Sequence, residues 1–288
     1  MLELPVGLPI QNANFTNGAT RINLYLQSKM SFTSDTSPIK MFRFVGIIPA
    51  RYASTRFPGK PLVDIGGKPM IQVVYEQVSK ALSDVYVATD DVRIFDAVVS
   101  FGGKVIMTSE EHKSGTDRCY EAFLKLDKSF DVIINIQGDE PFIQPEQILE
   151  LQKCFENSEI QIATLAKKIS EKDGLVFLQN PNHPKLIVNK QNEALYFSRS
   201  IVPFIRGSEP ENWLKLHSYL KHVGIYAYKA DVLKELTLLQ QSPLEIAESL
   251  EQLRWLENGY KIRVGYTDVE TVGIDTPEDL EKVKKLFL

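Results

Sequence analysis

Arg51, Arg56 and Lys60 fall within one short stretch, Arg51-Tyr52-Ala53-Ser54-Thr55-Arg56-Phe57-Pro58-Gly59-Lys60-Pro61-Leu62, and that crowding of cations suits the gripping of a polyphosphate. Guanidinium forks clasp phosphate oxygens in pairs, and an ammonium adds a compact, mobile charge. Pro58 and Pro61 stiffen the stretch, while Gly59 permits close backbone approach or a positive φ. A loop ordered in advance loses less entropy on binding. Any one of these cations read alone is a solvated loop charge; three in one constrained turn read as a ligand site. The stretch matches neither the Walker pattern, which needs Ser or Thr after Gly-Lys, nor the three spaced glycines of a dinucleotide loop. Gly67-Lys68 is followed by Pro69 and fails as well.

A second set of residues suits a metal. Asp139 and Glu140 follow the apolar run Val132-Ile133-Ile134-Asn135-Ile136-Gln137, with Gly138 leaving room to turn, and Asp275 precedes the last helix. Two hard carboxylates with triphosphate oxygens make a magnesium site, since magnesium keeps waters and is usually held by one or two carboxylates and the substrate. The bland alternatives are a turn residue for Asp139 and a helix-capping role for Asp275. Ser114-Gly115-Thr116-Asp117 reads first as a helix cap, whose free N–H groups also suit a base or phosphate. Asp90-Asp91 reads as a loop and helix start. His222 and Tyr226 alternate with Val223 and Ile225 on one face of a strand, where a lone His is more often structural than catalytic. There is no His-Glu-x-x-His, no Gly-x-Ser-x-Gly and no Cys-His frame, so hydrolase chemistry has little support.

The elements that must position these residues follow from the apolar pattern. Phe44-Val45-Gly46-Ile47-Ile48, ended by Pro49, reads as a buried strand, so the cationic loop leaves its C-terminal end. Ligands of open α/β sheets bind at such ends. Helices are predicted over Met70 to Leu82, Val92 to Phe101, Asp117 to Leu126 and Glu146 to Phe155, alternating with strands over Asp84 to Thr89, Lys104 to Met107 and Asp131 to Gln137. That rhythm implies a mostly parallel sheet covered on both faces. Beyond it, Gln161 to Ala166, Lys185 to Val188, Ala194 to Phe197 and His222 to Tyr228 read as strands with few helices between them, an inserted antiparallel lobe at about 180–228. Helices over Asp231 to Leu239 and Leu244 to Leu256, a strand over Lys261 to Tyr266, and a last helix capped by Thr276 with Pro277 at its first position complete the reading.

The chain has 288 residues, 43% of them hydrophobic and 24% charged, as in an ordinary globular protein with a substantial core. A formal net charge of −4 argues against nucleic acid as partner and makes the Arg/Lys loop a local positive site for a small anion. Only Cys119 and Cys154 occur, too few for a disulfide framework or a thiolate zinc site, which fits a reducing cytoplasm. No apolar stretch approaches the about 20 residues that span a bilayer, so no membrane role is expected. Residues 1–40, rich in Asn, Thr, Ser and Gln, lack the pattern of a secretion signal and read as a mobile tail ahead of a domain over 41–288.

From Phe44 to about Phe287 the chain resembles the 3-deoxy-manno-octulosonate cytidylyltransferases, the CMP-Kdo synthetases. The motifs are PARYASTRFPGKPL from Pro49, ATDD from Ala88, HKSGTDR from His112, NIQGDEP from Asn135, YFSRS from Tyr196, HVGIYAY from His222, LEQLR from Leu250 and GIDTPEDL from Gly273. The chain departs from the family at Phe57, usually Leu, at Lys229, often Arg, and at Glu270-Thr271-Val272-Gly273, where Pro-Gly-Thr-Gly is usual. The resemblance implies an α/β fold, a mostly parallel Rossmann-like nucleotidyltransferase sheet with an inserted antiparallel dimerisation lobe, and hence a homodimer. It implies magnesium-dependent transfer of CMP from CTP to Kdo with release of pyrophosphate. Lys60, Arg56, Asp139 and Asp275 would be catalytic, the two aspartates as metal ligands. Ala50, Arg51, Arg56, Lys60, Ala88, Thr89, Asp90, Ser114, Gly115, Thr116 and Arg118 would surround the nucleotide, and Gln137, Arg199, His222, Tyr226, Glu251 and Gln252 the sugar acid.

Overall fold

A computed structural model describes residues 42–53, 57–270, 273–274 and 276–287. The tail expected over 1–40 lies outside the described residues. The strands are β1 (Phe44–Ala50), β2 (Asp64–Ile65), β3 (Lys68–Pro69), β4 (Val85–Thr89), β5 (Val105–Met107), β6 (Val132–Asn135), β7 (Ile162–Lys168), β8 (Lys185–Val188), β9 (Ala194–Ser198), β10 (Leu220–Lys229) and β11 (Ile262–Tyr266). The helices are α1 (Met70–Ser79), α2 (Val92–Ser100), α3 (Gly115–Leu124), α4 (Pro145–Lys153), α5 (Gly174–Gln179), α6 (Trp213–Leu216), α7 (Ala230–Thr237), α8 (Pro243–Glu248), α9 (Gln252–Glu257) and α10 (Pro277–Phe287).

Strand β1 is apolar on both sides because both sides are covered. Val45 and Ile47 pack with Cys119 and Ala122 of α3 and with Val232 and Leu233 of α7, whereas Ile48 packs with Val74 and Val78 of α1 and Ile148 of α4. The main sheet runs β11-β7-β10-β6-β1-β4-β5. Strands β6, β1, β4 and β5 are parallel, so their C-terminal ends lie along one edge. Strand β10 runs antiparallel between β6 and β7, with Tyr226 opposite Asn135 and Thr164.

Three local departures from the sequence reading have physical causes. The strand at 222–228, read as part of the lobe, runs inside the main sheet; the hairpin β8–β9 is what projects from it, held to Leu220 and Lys221 of β10. The helix predicted over Leu244 to Leu256 is two helices, because Ser249 takes a left-handed conformation (φ +50°) between α8 and α9. Glu248 draws the break tight, accepting hydrogen bonds from the Ser198 hydroxyl (2.7 Å) and the Arg199 amide (2.9 Å). The β2–β3 hairpin and helices α5 and α6 went unread because each is too short to show a period.

Candidate active site

The ends of β1 and β6 open on a cleft of about 850 Å³, counting its open mouth. Pro49, Ala50 and Arg51 enter it from β1, Gln137 to Asp139 from the turn after β6, and His112 to Gly115 with Arg118 from the start of α3. Gly138 makes the turn possible, since a Cβ there would stand 2.9 Å from the Pro49 carbonyl oxygen, which is backbone and cannot yield. Gly59 (φ +72°) closes the cationic loop by donating its amide to the Tyr52 carbonyl at 3.0 Å, and a 3-10 turn then begins at Lys60. That turn delivers the Lys60 ammonium onto Asp139, Nζ to Oδ2 2.6 Å, with side chains 14% and 32% exposed.

Two residues read for different ligands therefore meet: the cation expected to hold phosphate and the carboxylate expected to hold metal. Asp139 offers hard oxygen donors at the cleft. Its backbone carbonyl also accepts the Ile274 amide at 3.0 Å, and Ile274 is fully buried beside Ile65, Met70 and Leu280. Asp275 and Arg56 lie outside the described residues. Among the described residues no three His, Cys, Asp or Glu side chains converge as a metal cluster.

On the nucleotide side, the Ser114 hydroxyl accepts the Asp117 amide at 3.1 Å, so Ser114 caps α3 and lines the cleft at once. The buried Arg118 guanidinium donates to Asp90 Oδ2 (2.5 Å), Thr108 Oγ1 (2.6 Å) and the Ser109 carbonyl (3.2 Å). Ala88 and Thr89 are fully buried at the end of β4, and the Thr89 hydroxyl accepts the Asp91 amide at 3.2 Å. Neither is among the residues that line the cleft. The Thr116 hydroxyl donates to Glu251 Oε2 at 2.8 Å, joining a residue read for the nucleotide to one read for the sugar acid.

The sugar-side residues sort into two groups. Tyr226 stacks beside Tyr228, lies edge-on to Trp255 and faces Asn135 across the ladder; Gln252 is buried as well. The Tyr226 and Tyr228 hydroxyls, Asn135 Oδ1 and Gln252 Nε2 are buried without a hydrogen bond of normal geometry. Buried polar atoms are ordinarily paired, so these suit a hydroxylated ligand or water. Burial raises the Glu251 carboxyl beside them, and raises both phenols well above their ordinary value. His222 is also buried; it shares a 3.0 Å hydrogen bond with the Thr164 hydroxyl and meets Phe197 edge-on. Burial pushes it down to about 3, so it is neutral near pH 7.

Arg199 is held by backbone carbonyls. Nε donates to the Glu248 carbonyl (2.6 Å), Nη1 to the Pro181 carbonyl (2.9 Å) and Nη2 to the Ser249 carbonyl (3.2 Å). The fork expected to clasp a carboxylate is engaged with backbone at the α8–α9 break and at Pro181. His112 and Lys113, by contrast, line the cleft and were given no role from sequence. His112 Nε2 makes a short contact with Glu121 Oε2. Burial works against ionisation of Glu121, yet hydrogen bonds from Lys125, the Ser109 amide and His112 bring its carboxyl down to about 2. Position beside Ser114 in HKSGTDR was the available signal, and neither residue type alone made it specific.

The sequence profile of the family described as cytidylyltransferase matches residues 45–262. The chain is 65% identical over 243 residues to a 3-deoxy-manno-octulosonate cytidylyltransferase of Parabacteroides distasonis, covering 84% of this chain and 97% of that one. It is 50% identical over 247 residues to a protein of the same name from Thermodesulfovibrio yellowstonii, covering 83% and 96%. A solved CMP:2-keto-3-deoxy-manno-octonic acid synthetase in complex with CTP is similar at a TM-score of 0.77 and 46% identity, over 85% of this chain and 98% of that one. A glucose-1-phosphate thymidylyltransferase structure from Bacillus anthracis, 16% identical over 84% of this chain and 94% of that one at a TM-score of 0.56, shares the fold alone.

Proposed function

This chain belongs to the cytidylyltransferase family, and from that membership we propose that it activates 3-deoxy-D-manno-octulosonate (Kdo) with CTP, giving CMP-Kdo and pyrophosphate for lipopolysaccharide biosynthesis. The observation that carries the reading is the cleft at the ends of β1 and β6, where Lys60 and Asp139 face the capped start of α3. A cation, a hard carboxylate and a helix N-terminus around one space suit a metal-bound nucleoside triphosphate.

Lys60, with Arg51 and Arg56, holds the triphosphate and stabilises the departing pyrophosphate. The anomeric hydroxyl of Kdo attacks the α-phosphorus in line, and positioning and charge stabilisation govern such transfers. A magnesium ion is the proposed cofactor, with Asp139 and Asp275 as its protein ligands. The donor chemistry supports this: the Asp139 carboxylate holds a cation at the cleft, the Lys60 ammonium, with the oxygen type magnesium takes. A magnesium ion held there would supply Lewis-acid polarisation of the α-phosphate and would acidify the attacking hydroxyl. Ser114, Gly115, Thr116 and Arg118 set the nucleotide against the α3 N-terminus, with Ala50, Ala88, Thr89 and Asp90 shaping that wall. Gln137, Tyr226, Gln252 and Glu251 read the sugar hydroxyls, and the unpaired buried groups of Tyr226 and Gln252 support that role. His222 shapes the same wall as a neutral ring, and Arg199 braces it through the α8–α9 break.

A homodimer joined through the β8–β9 region is also proposed; exposed Leu195, Phe204 and Leu216 support it. The proposed cytoplasmic location draws on two free cysteines, Cys119 and Cys154. Among the described residues no helix is long and apolar enough to cross a membrane. Pyrophosphate release that requires both CTP and Kdo is the test. Release with CTP alone, or with a sugar phosphate in place of Kdo, contradicts the assignment.

A further inference from the structure

Arg93, near the start of α2, makes two contacts with different parts of one group. The edge of its guanidinium engages Asp91, Nε to Oδ1 at 2.9 Å and Nη2 to Oδ2 at 2.6 Å, while its face covers the Tyr52 ring with Cζ 3.3 Å from the centroid. Asp91 is itself fixed. Its Oδ1 caps α2 by accepting the Arg93 amide at 2.9 Å, and its own amide donates to the Thr89 hydroxyl at 3.2 Å. The phenol end of Tyr52 packs on Gly59, where a Cβ would lie 3.1 Å from Cζ, and the Tyr52 carbonyl accepts the Gly59 amide at 3.0 Å. A chain of contacts therefore runs from the end of β4 through Asp91, Arg93 and Tyr52 to Gly59 and Lys60.

We propose that Arg93 is a positioning residue for the phosphate loop: oriented by Asp91, it clamps Tyr52 and so fixes the Gly59 turn that presents Lys60 to the triphosphate. The inference rests on the reading of Lys60 as a triphosphate ligand. Arg93 side-chain exposure is 55%, and an exposed ion pair by itself contributes little. Simultaneous edge pairing and face stacking is what matters, and it needs a planar guanidinium; a lysine ammonium keeps the charge but cannot do both. With the clamp gone, part of the substrate's binding energy goes to ordering the loop, which weakens CTP binding more than it slows turnover.

The test compares the full chain with Arg93→Lys and Arg93→Ala in two measurements: steady-state kinetics against CTP, and hydrogen exchange of the Gly59 amide without ligand. Both variants are expected to raise KM for CTP about 3- to 5-fold, as for loss of one exposed cation–π contact, with kcat within about 2-fold and an unchanged melting point. Gly59 exchange is expected to accelerate in both. A native KM in Arg93→Lys beside a raised one in Arg93→Ala assigns the effect to charge alone and overturns the clamp, as does Gly59 exchange that neither substitution alters. The exchange measurement needs no nucleotide, so its outcome stands apart from a failure of the native protein to turn over CTP, which would overturn the functional reading instead.

Discussion

Replacing Asp139 by Asn separates what this residue does for the fold from what it does for the reaction. Asn keeps the size and one oxygen but removes the charge, and the backbone bond from the Ile274 amide to the Asp139 carbonyl is untouched. The free protein loses the 2.6 Å pair with Lys60. A well-shielded charge-assisted hydrogen bond contributes about 1.5–3 kcal/mol. Asp139 is 32% exposed, so solvent screening brings the expected loss nearer ~1 kcal/mol. That lowers the melting point by about 2–4 °C in a chain of this size. Turnover should fall much further, by about 10²–10³, as for loss of one preorganised electrostatic partner of the reacting group. The assay is pyrophosphate release at saturating CTP and Kdo across a magnesium series, paired with thermal melts of the same samples. Near-native turnover by Asp139→Asn at limiting magnesium would refute the metal role. A melting-point loss well beyond 10 °C would show that Asp139 mainly supports the fold.

Arg199→Lys cannot reproduce three directed bonds to the Glu248, Pro181 and Ser249 carbonyls. It should lower the melting point by several degrees and raise KM for Kdo together; a variant that raises KM for Kdo with an unchanged melt would return Arg199 to direct carboxylate recognition. Burial holds His222 at about 3, below the about 6.5 of an unfolded chain, so acidification protonates the unfolded state first. The stability this neutral histidine retains near pH 7 therefore declines as pH falls from about 6.5 toward 3. Melts at pH 7.5 and pH 5 should show a smaller acid-induced drop in His222→Phe than in the native protein, and equal drops would contradict the assignment.

The parallel half of the sheet was legible in sequence because its elements carry long, strong periods: β1, β4 and β6 read as apolar runs, and α1 to α4 as amphipathic stretches between them. The loop and carboxylate were legible because Gly59, Gly138 and the prolines mark turns at strand ends, where a ligand crevice forms. What escaped depends on contacts distant in sequence. The pairing of Lys60 with Asp139, the seating of Arg199 on three carbonyls and the break at Ser249 are each decided by a partner outside the local pattern. His112 and Lys113 were visible as a motif but not as cleft walls, because their role depends on where β1 ends relative to α3.

The most direct measurement is the identity of the product when the purified protein meets CTP, magnesium and a panel of sugar acids. Phosphorus NMR should show a CMP phosphodiester of Kdo and pyrophosphate rising in equal amounts, with the other nucleoside triphosphates and other sugar acids reacting far more slowly. A product carrying a different nucleotide or sugar acid, or CTP cleaved without transfer to Kdo, would contradict the account.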